Sequence, residues 1–186
     1  MRWARSYLKC VVASFGASVV FLTSVAADPA ELEALLEGLQ TAEPAAAEQI
    51  EGRIYELWSQ SGSPSMDLLL QRGRAALEDG NTPRAVEHFS ALIDHAPMFA
   101  EGYNGRATAY FRDGRYGLSL NDIQRTLDLN PQHFGAMTGL ALILEELGEI
   151  DGALLAWREV ERLHPNREGL SEAIRRLEVM VGGETL

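Results

Sequence analysis

The side chains able to do chemistry are few, and their spacing argues against catalysis. Histidine occurs at His88, His95, His133 and His164. No pair of them has a zinc-binding helical spacing with a glutamate between, and Cys10 is the single cysteine. His95 and His164 stand just before Pro97 and Pro165, at helix ends where a cationic ring suits the helix dipole. Lys9 is the only lysine, and nothing reads as a phosphate loop or as a G-x-S-x-G elbow. The paired carboxylates Glu78-Asp79 and Glu145-Glu146 each fall close before a turn glycine, which predicts a solvated helix edge rather than an acid–base couple. The expectation is a non-enzymatic protein with no metal and no other cofactor.

Composition sets the frame. Of 186 residues, 46% are hydrophobic and 23% charged, enough for one domain with a core. The 16 basic and 27 acidic residues give −11, which argues against nucleic acid as the main partner because phosphate binding needs a cationic surface. Residues 1–27 start with Arg2, Arg5 and Lys9, continue through a small, mostly apolar run, and close on Val25-Ala26-Ala27. That is the three-part pattern of a secretory signal peptide. A retained anchor is the alternative. Val11 to Ala27 is 17 residues diluted by Ser14, Gly16, Ser18, Thr23 and Ser24, whereas a spanning helix needs about 20 apolar residues. Cleavage after Ala27 removes three basic residues and no acids, leaving 13 arginines against 27 acids, net −14. An exported protein with no membrane contact after cleavage is the expectation.

The rest of the chain has a period. Pro97, Pro131 and Pro165 are 34 apart, as are Gly80, Gly114 and Gly148. Small residues recur at Gly73, Ala107 and Ala141, and again at Ala85, Ser119 and Ala153. A large apolar residue follows the second set by four, at Phe89, Ile123 and Trp157, one helical turn on and on the same face. The glycine ends a first helix in left-handed backbone. The proline stops a second one. Small positions let two helix backbones approach. The pattern predicts helices over 66–79, 83–95, 99–113, 116–129, 133–147 and 150–163, then one over 167–181.

These marks resemble the tetratricopeptide repeat (TPR) family, whose unit is a 34-residue helical hairpin. The third unit is nearest its pattern, with Leu140, Ala141, Leu144, Gly148, Ala153, Trp157 and Pro165. The second has Ala107, Tyr110, Gly114, Tyr116 and Pro131. The first departs most: Arg72 stands where leucine is common and Ala76 where an aromatic is common. The resemblance implies an all-α, right-handed solenoid of hairpins at 66–99, 100–133 and 134–167, with a capping helix and tail at 168–186. Before the repeats, residues 28–65 read as an acidic helical hairpin, a degenerate repeat or cap packed on the first unit; the alternative is a semi-independent acidic arm. Asp28 caps and Pro29 starts its first helix; the second runs from Pro44 to about Trp58, and Ser65 is placed to cap the helix after it. That segment holds eight acids and one arginine, net −7.

First helices of stacked hairpins line one concave side. The groove lining expected here is Leu70, Arg74, Leu77, Glu101, Asn104, Thr108, Phe111, Thr138 and Leu142, with Gly105, Gly135, Gly139 and Glu145 beside them. Some family members grip a peptide C-terminal carboxylate with paired lysine and asparagine; no lysine stands here. Arg74 with Asn104 is the candidate replacement, unless Arg74 pairs with Glu101 or Asp67. The resemblance implies an exported adaptor that binds a protein or peptide, in bacterial envelope assembly or maturation in the periplasm. The alternatives are a structural or self-associating module, or a chaperone or regulatory subunit for an envelope enzyme with a basic surface.

The register is tested by size. Ala85→Leu and Ala153→Leu are each expected to cost about 1–3 kcal/mol by overpacking the helix crossing. Trp157→Ala is expected to cost about 3–5 kcal/mol. Denaturant melts check both, and parent-like midpoints for the two enlarged variants would overturn the register.

Overall fold

The computed structural model describes residues 29–183. The expected signal peptide and the Asp28 cap lie outside them. The described residues form nine helices and no strand: α1 (Pro29–Leu39), α2 (Pro44–Trp58), α3 (Pro64–Glu78), α4 (Thr82–His95), α5 (Ala100–Arg112), α6 (Tyr116–Leu129), α7 (Phe134–Glu146), α8 (Ile150–Leu163) and α9 (Leu170–Gly183). The six repeat helices match the expected spans to within two residues at each end. Helices α3/α4, α5/α6 and α7/α8 are hairpins stacked in a row, and α9 packs on α8.

The repeated marks do the work their chemistry suggests. Gly80, Gly114 and Gly148 have φ of 72°, 68° and 76°, a region closed to most side chains. Each left-handed residue lets the chain double back on the helix it ends. Asn81, Arg115 and Glu149 then donate their backbone N–H to the carbonyls of Ala76, Tyr110 and Leu144, at 2.8–2.9 Å. The residues before the three prolines, Ala96, Asn130 and His164, leave the helical region, with φ of −135°, −140° and −145°. Ala85, Ser119 and Ala153 are fully buried at the helix crossings, and Ser119 satisfies its hydroxyl on the Ala107 carbonyl at 2.8 Å.

Phe89 is the central wedge of the first interface. A Cβ placed on Gly73 or on Gly105 would lie 2.4 Å from its ring. Gly105 therefore makes room for Phe89, not for something in the groove as its position suggested. Two boundaries also differ from expectation. Helix α3 starts at Pro64 with Ser63 before it, and Asp67 accepts from the Ser61 backbone N–H and hydroxyl. Helix α9 starts at Leu170 because Gly169 turns the chain with φ 73° and Arg167 reaches back to Glu51.

The acidic hairpin is present as α1 and α2, but its packing is not local. Its core joins Leu36, Leu39, Ala47, Ile54 and Trp58 to Phe134 and Leu163 of the third hairpin. No α1 or α2 residue enters the core around Phe89. Ser59 touches Arg74 of α3, Trp58 stacks on His133, and Glu51 binds His164 and Arg167. Glu51 to Ser59 covers about 12 Å at helical rise. Helix α2 thus lies across the row as a brace from first hairpin to last.

Gly105→Ala separates propensity from packing. Alanine in a helix should return about 1 kcal/mol relative to glycine. Overlap with the rigid Phe89 ring should cost about 1–3 kcal/mol. The net expected outcome is a lower denaturation midpoint, and a raised midpoint would refute the wedge.

Candidate functional site

Five of the nine expected groove residues meet in one cavity. Asn104, Thr108 and Phe111 of α5 and Thr138 and Leu142 of α7 line a space of about 290 Å³, with Ala107, Ile123 and Gly139 at its base. Thr108 and Thr138 turn their hydroxyls to the Asn104 and Phe134 carbonyls, at 3.0 and 2.9 Å, so their methyl groups are what remains for the cavity. The walls are therefore mostly hydrocarbon. Arg112, which the sequence reading did not single out, stands at the edge. Its Nη1 donates to the Leu77 carbonyl at 2.5 Å and ties the end of α5 to α3. It lies four residues after Thr108, one turn further on the same face.

The other four are placed differently. Leu70 and Leu77 belong to the buried core of the first hairpin. Glu101 is only 2% exposed. Arg74 donates to Glu101 at 2.7 Å and to the Ser59 hydroxyl at 2.8 Å. Arg74 is thus paired with Glu101, while its side chain stays 41% exposed and, with Leu70, Asp67 and Gln71, lines a second open space on α3. Glu145, expected at a solvated edge, instead accepts from the Trp157 indole N–H at 2.6 Å and pairs with Arg176.

Glu101 is the junction of a network that sequence reasoning missed. Its second carboxylate oxygen is 2.7 Å from Nε2 of His133. Nδ1 of the same ring accepts the Ala136 backbone N–H at 3.0 Å, capping α7. With Nδ1 an acceptor, Nε2 carries the proton and donates to Glu101. Trp58 lies flat on the ring, with centroids 4.4 Å apart. The line Ser59–Arg74–Glu101–His133 thus links α2, α3, α5 and α7. Tyr55 packs edge-on to Phe134 at 5.3 Å, and a Cβ on Gly135 would come 2.5 Å from its hydroxyl. Gly135 therefore admits the brace. Burial pushes the Tyr55 hydroxyl up to about 12, so it stays protonated.

Burial alone would raise the Glu101 carboxyl. The hydrogen bond from His133 and the Arg74 cation outweigh it and hold the group below its ordinary value. Glu51 is held low mainly by its bond from His164; partial burial opposes this and Arg167 adds to it. Among the described residues no cluster of three His, Cys, Asp or Glu side chains is placed to hold a metal, and no helix is long and apolar enough to cross a membrane.

Stacked helical hairpins with a cavity between their first helices define an α-solenoid repeat protein. The tetratricopeptide repeat family model matches residues 70–124 and 106–168. The chain belongs to the tetratricopeptide repeat family. A TPR repeat-containing protein of Rhizobium etli is 34% identical over 144 residues, 77% of this chain and 71% of that relative. Hsp70-Hsp90 organizing protein 1 of Glycine max is 27% identical over 106 residues, 57% of this chain but 18% of its own length. Among solved structures, the first TPR domain of Spaghetti bound to an HSP90 peptide aligns with a TM-score of 0.60 at 20% identity, covering 63% of this chain and 93% of that one. MamA aligns with a TM-score of 0.53 at 19% identity, covering 82% of this chain and 88% of that one.

Both glutamates bind protons less readily in the folded chain than in the unfolded one. Their contribution is complete above the ordinary carboxylate range and is lost as pH falls through and below it. Stability should therefore drop from about pH 5 downward. Glu101→Gln and Glu51→Gln should each flatten that acid limb in thermal melts taken against pH, and an unchanged slope in both would refute the coupling.

Proposed function

We propose that this chain is a non-enzymatic adaptor that holds a segment of a protein or peptide partner in the groove between α5 and α7. The observation that carries this reading is the cavity of about 290 Å³ walled by Phe111, Leu142, Ile123 and the threonine methyls. A preformed apolar recess on a scaffold tied at both edges suits a docked side chain, because little ordering cost remains to be met on binding. A TPR domain of the same fold solved bound to an HSP90 peptide supports peptide binding as the use. The basic, apolar, small-residue order of residues 1–27 supports export, and with it a bacterial periplasmic setting. Arg74 pairs with Glu101 and Ser59 and faces the adjoining space on α3 rather than this cavity. The partner-facing residues are Asn104, Thr108, Phe111, Thr138 and Leu142.

A photoreactive amino acid at Thr108, compared with one at the exposed Arg162 on α8, tests the reading in cells that export the protein. Discrete cross-links to a polypeptide are expected from position 108 only, and Leu142→Arg in the same chain should abolish them. Equal patterns from both positions, or none from position 108, would remove the groove as the binding site. Fractionation of the same cells checks the compartment separately.

A further inference from the structure

The first and second hairpins carry the same arginine, but only one of them completes it. In the second, Arg106 of α5 takes both oxygens of Asp122 on α6, at 2.7 and 2.9 Å, and the Ser90 hydroxyl of the preceding α4 at 3.1 Å. Thirty-four residues earlier the equivalent positions are Arg72 and His88. Among the described residues no carboxylate stands where Asp122 would, and no preceding hairpin supplies a hydroxyl, because α2 packs on the third unit. Arg72, Arg84 and His88 line an open cleft of about 490 Å³ on the outer side of α3 and α4. Neither arginine has an acidic partner among the described residues. Asp79 is the one acid in the lining, and it makes no ion pair with either. The start of α4, at Asn81, lies at the same cleft and adds the positive end of a helix dipole.

No described helix covers this end of the solenoid. At the far end α9 covers the last hairpin. Here Leu68 is 44% exposed and lies one turn before Arg72 on the same face. What fits a solenoid end is a helix. What fits Arg72 is a carboxylate on that helix, held bidentate as Asp122 is. Residues 1–27 carry no acid and cannot supply it. A second copy sets −11 against −11 over its whole surface, whereas a partner needs acids only on the helix that meets Arg72.

We propose that the outer face of α3 and α4 docks an acidic helix of a partner protein, with Arg72 taking its carboxylate and Leu68 its apolar stripe. This surface is separate from the groove between α5 and α7.

The probe is a blocked, fluorescein-labelled 16-residue helical peptide with a leucine stripe flanked by glutamates, and an analogue with glutamine in their place. Fluorescence anisotropy at low salt against the purified full chain should show the glutamate peptide binding about tenfold more tightly. Arg72→Gln should erase that preference. His88→Asp, which sets a carboxylate at the position of Asp122, should erase it too without lowering the thermal midpoint. Leu142→Arg should leave it intact. No binding of the glutamate peptide, equal binding of the two peptides, or a preference that survives both Arg72→Gln and His88→Asp overturns the proposal. Loss of binding in Leu142→Arg overturns it as well, by moving the probe to the groove. A dimer in sedimentation equilibrium that Arg72→Gln dissolves would replace the partner helix with a second copy.

Discussion

No hairpin in this chain can bury its apolar face alone, and the structure follows from how each exposed face finds a neighbour. Two helices of 13 to 15 residues bury only the stripe between them. Stacking buries the second face, and the cost of close approach is met by composition. Phe89 reaches across from the first hairpin because Gly73 and Gly105 both lack a side chain in its path. Trp157 fills the same position in the last hairpin, and its indole N–H is satisfied by Glu145 so that a polar atom is not left dry. The row then needs ends. Helix α9 provides one with Leu170, Ala173, Ile174 and Leu177 packed inward. The hairpin that precedes the repeats might have provided the other, but its apolar side joins Phe134 and Leu163 instead.

That choice is fixed by a buried charge. Glu101 sits at the start of α5 with almost no access to water, and an isolated carboxylate there would cost several kcal/mol. Arg74 and His133 compensate it from the helices on either side, and Ser59 and Trp58 hold those two from α2. A pair that breaks even energetically can still specify geometry. Here the carboxylate accepts from donors on two other helices, so the spacing of α3, α5 and α7 is set together with the seat of the brace. The cavity between α5 and α7 inherits that spacing.

The sequence carried the repeat frame well because its marks are local. A glycine that needs positive φ, a proline that ends a helix and a small residue at a crossing each report on their own few neighbours. The brace was not legible for the opposite reason. Glu51 meets His164 and Arg167 across more than a hundred residues, and nothing in residues 28–65 alone distinguishes packing on the first hairpin from packing on the third. The groove was half legible. Helical spacing placed Asn104, Thr108, Phe111, Thr138 and Leu142 on one lining, but it could not tell a facing side chain from one withdrawn into a pair, as Glu101 is. Position 133 gave one weak signal: a histidine beside a phenylalanine at a helix start, where a ring nitrogen can act as a cap.

The departures of the first hairpin from the family pattern acquire a physical reason from the same geometry. Arg72 and Ala76 look like defects if a preceding unit is assumed, since the arginine would be buried without the carboxylate that Asp122 gives Arg106, and a void left under Ala76. With α2 drawn across to the third hairpin, no described unit precedes, and Arg72 is exposed where its charge costs little. Selection for packing is then relaxed on that face, yet relaxation alone predicts a mixture of polar residues of both signs. In an acidic chain with 27 acids and 16 bases, the cleft holds two arginines and one aspartate. The excess of positive charge runs against the composition of the whole, and a solvated helix face gives no reason for that sign.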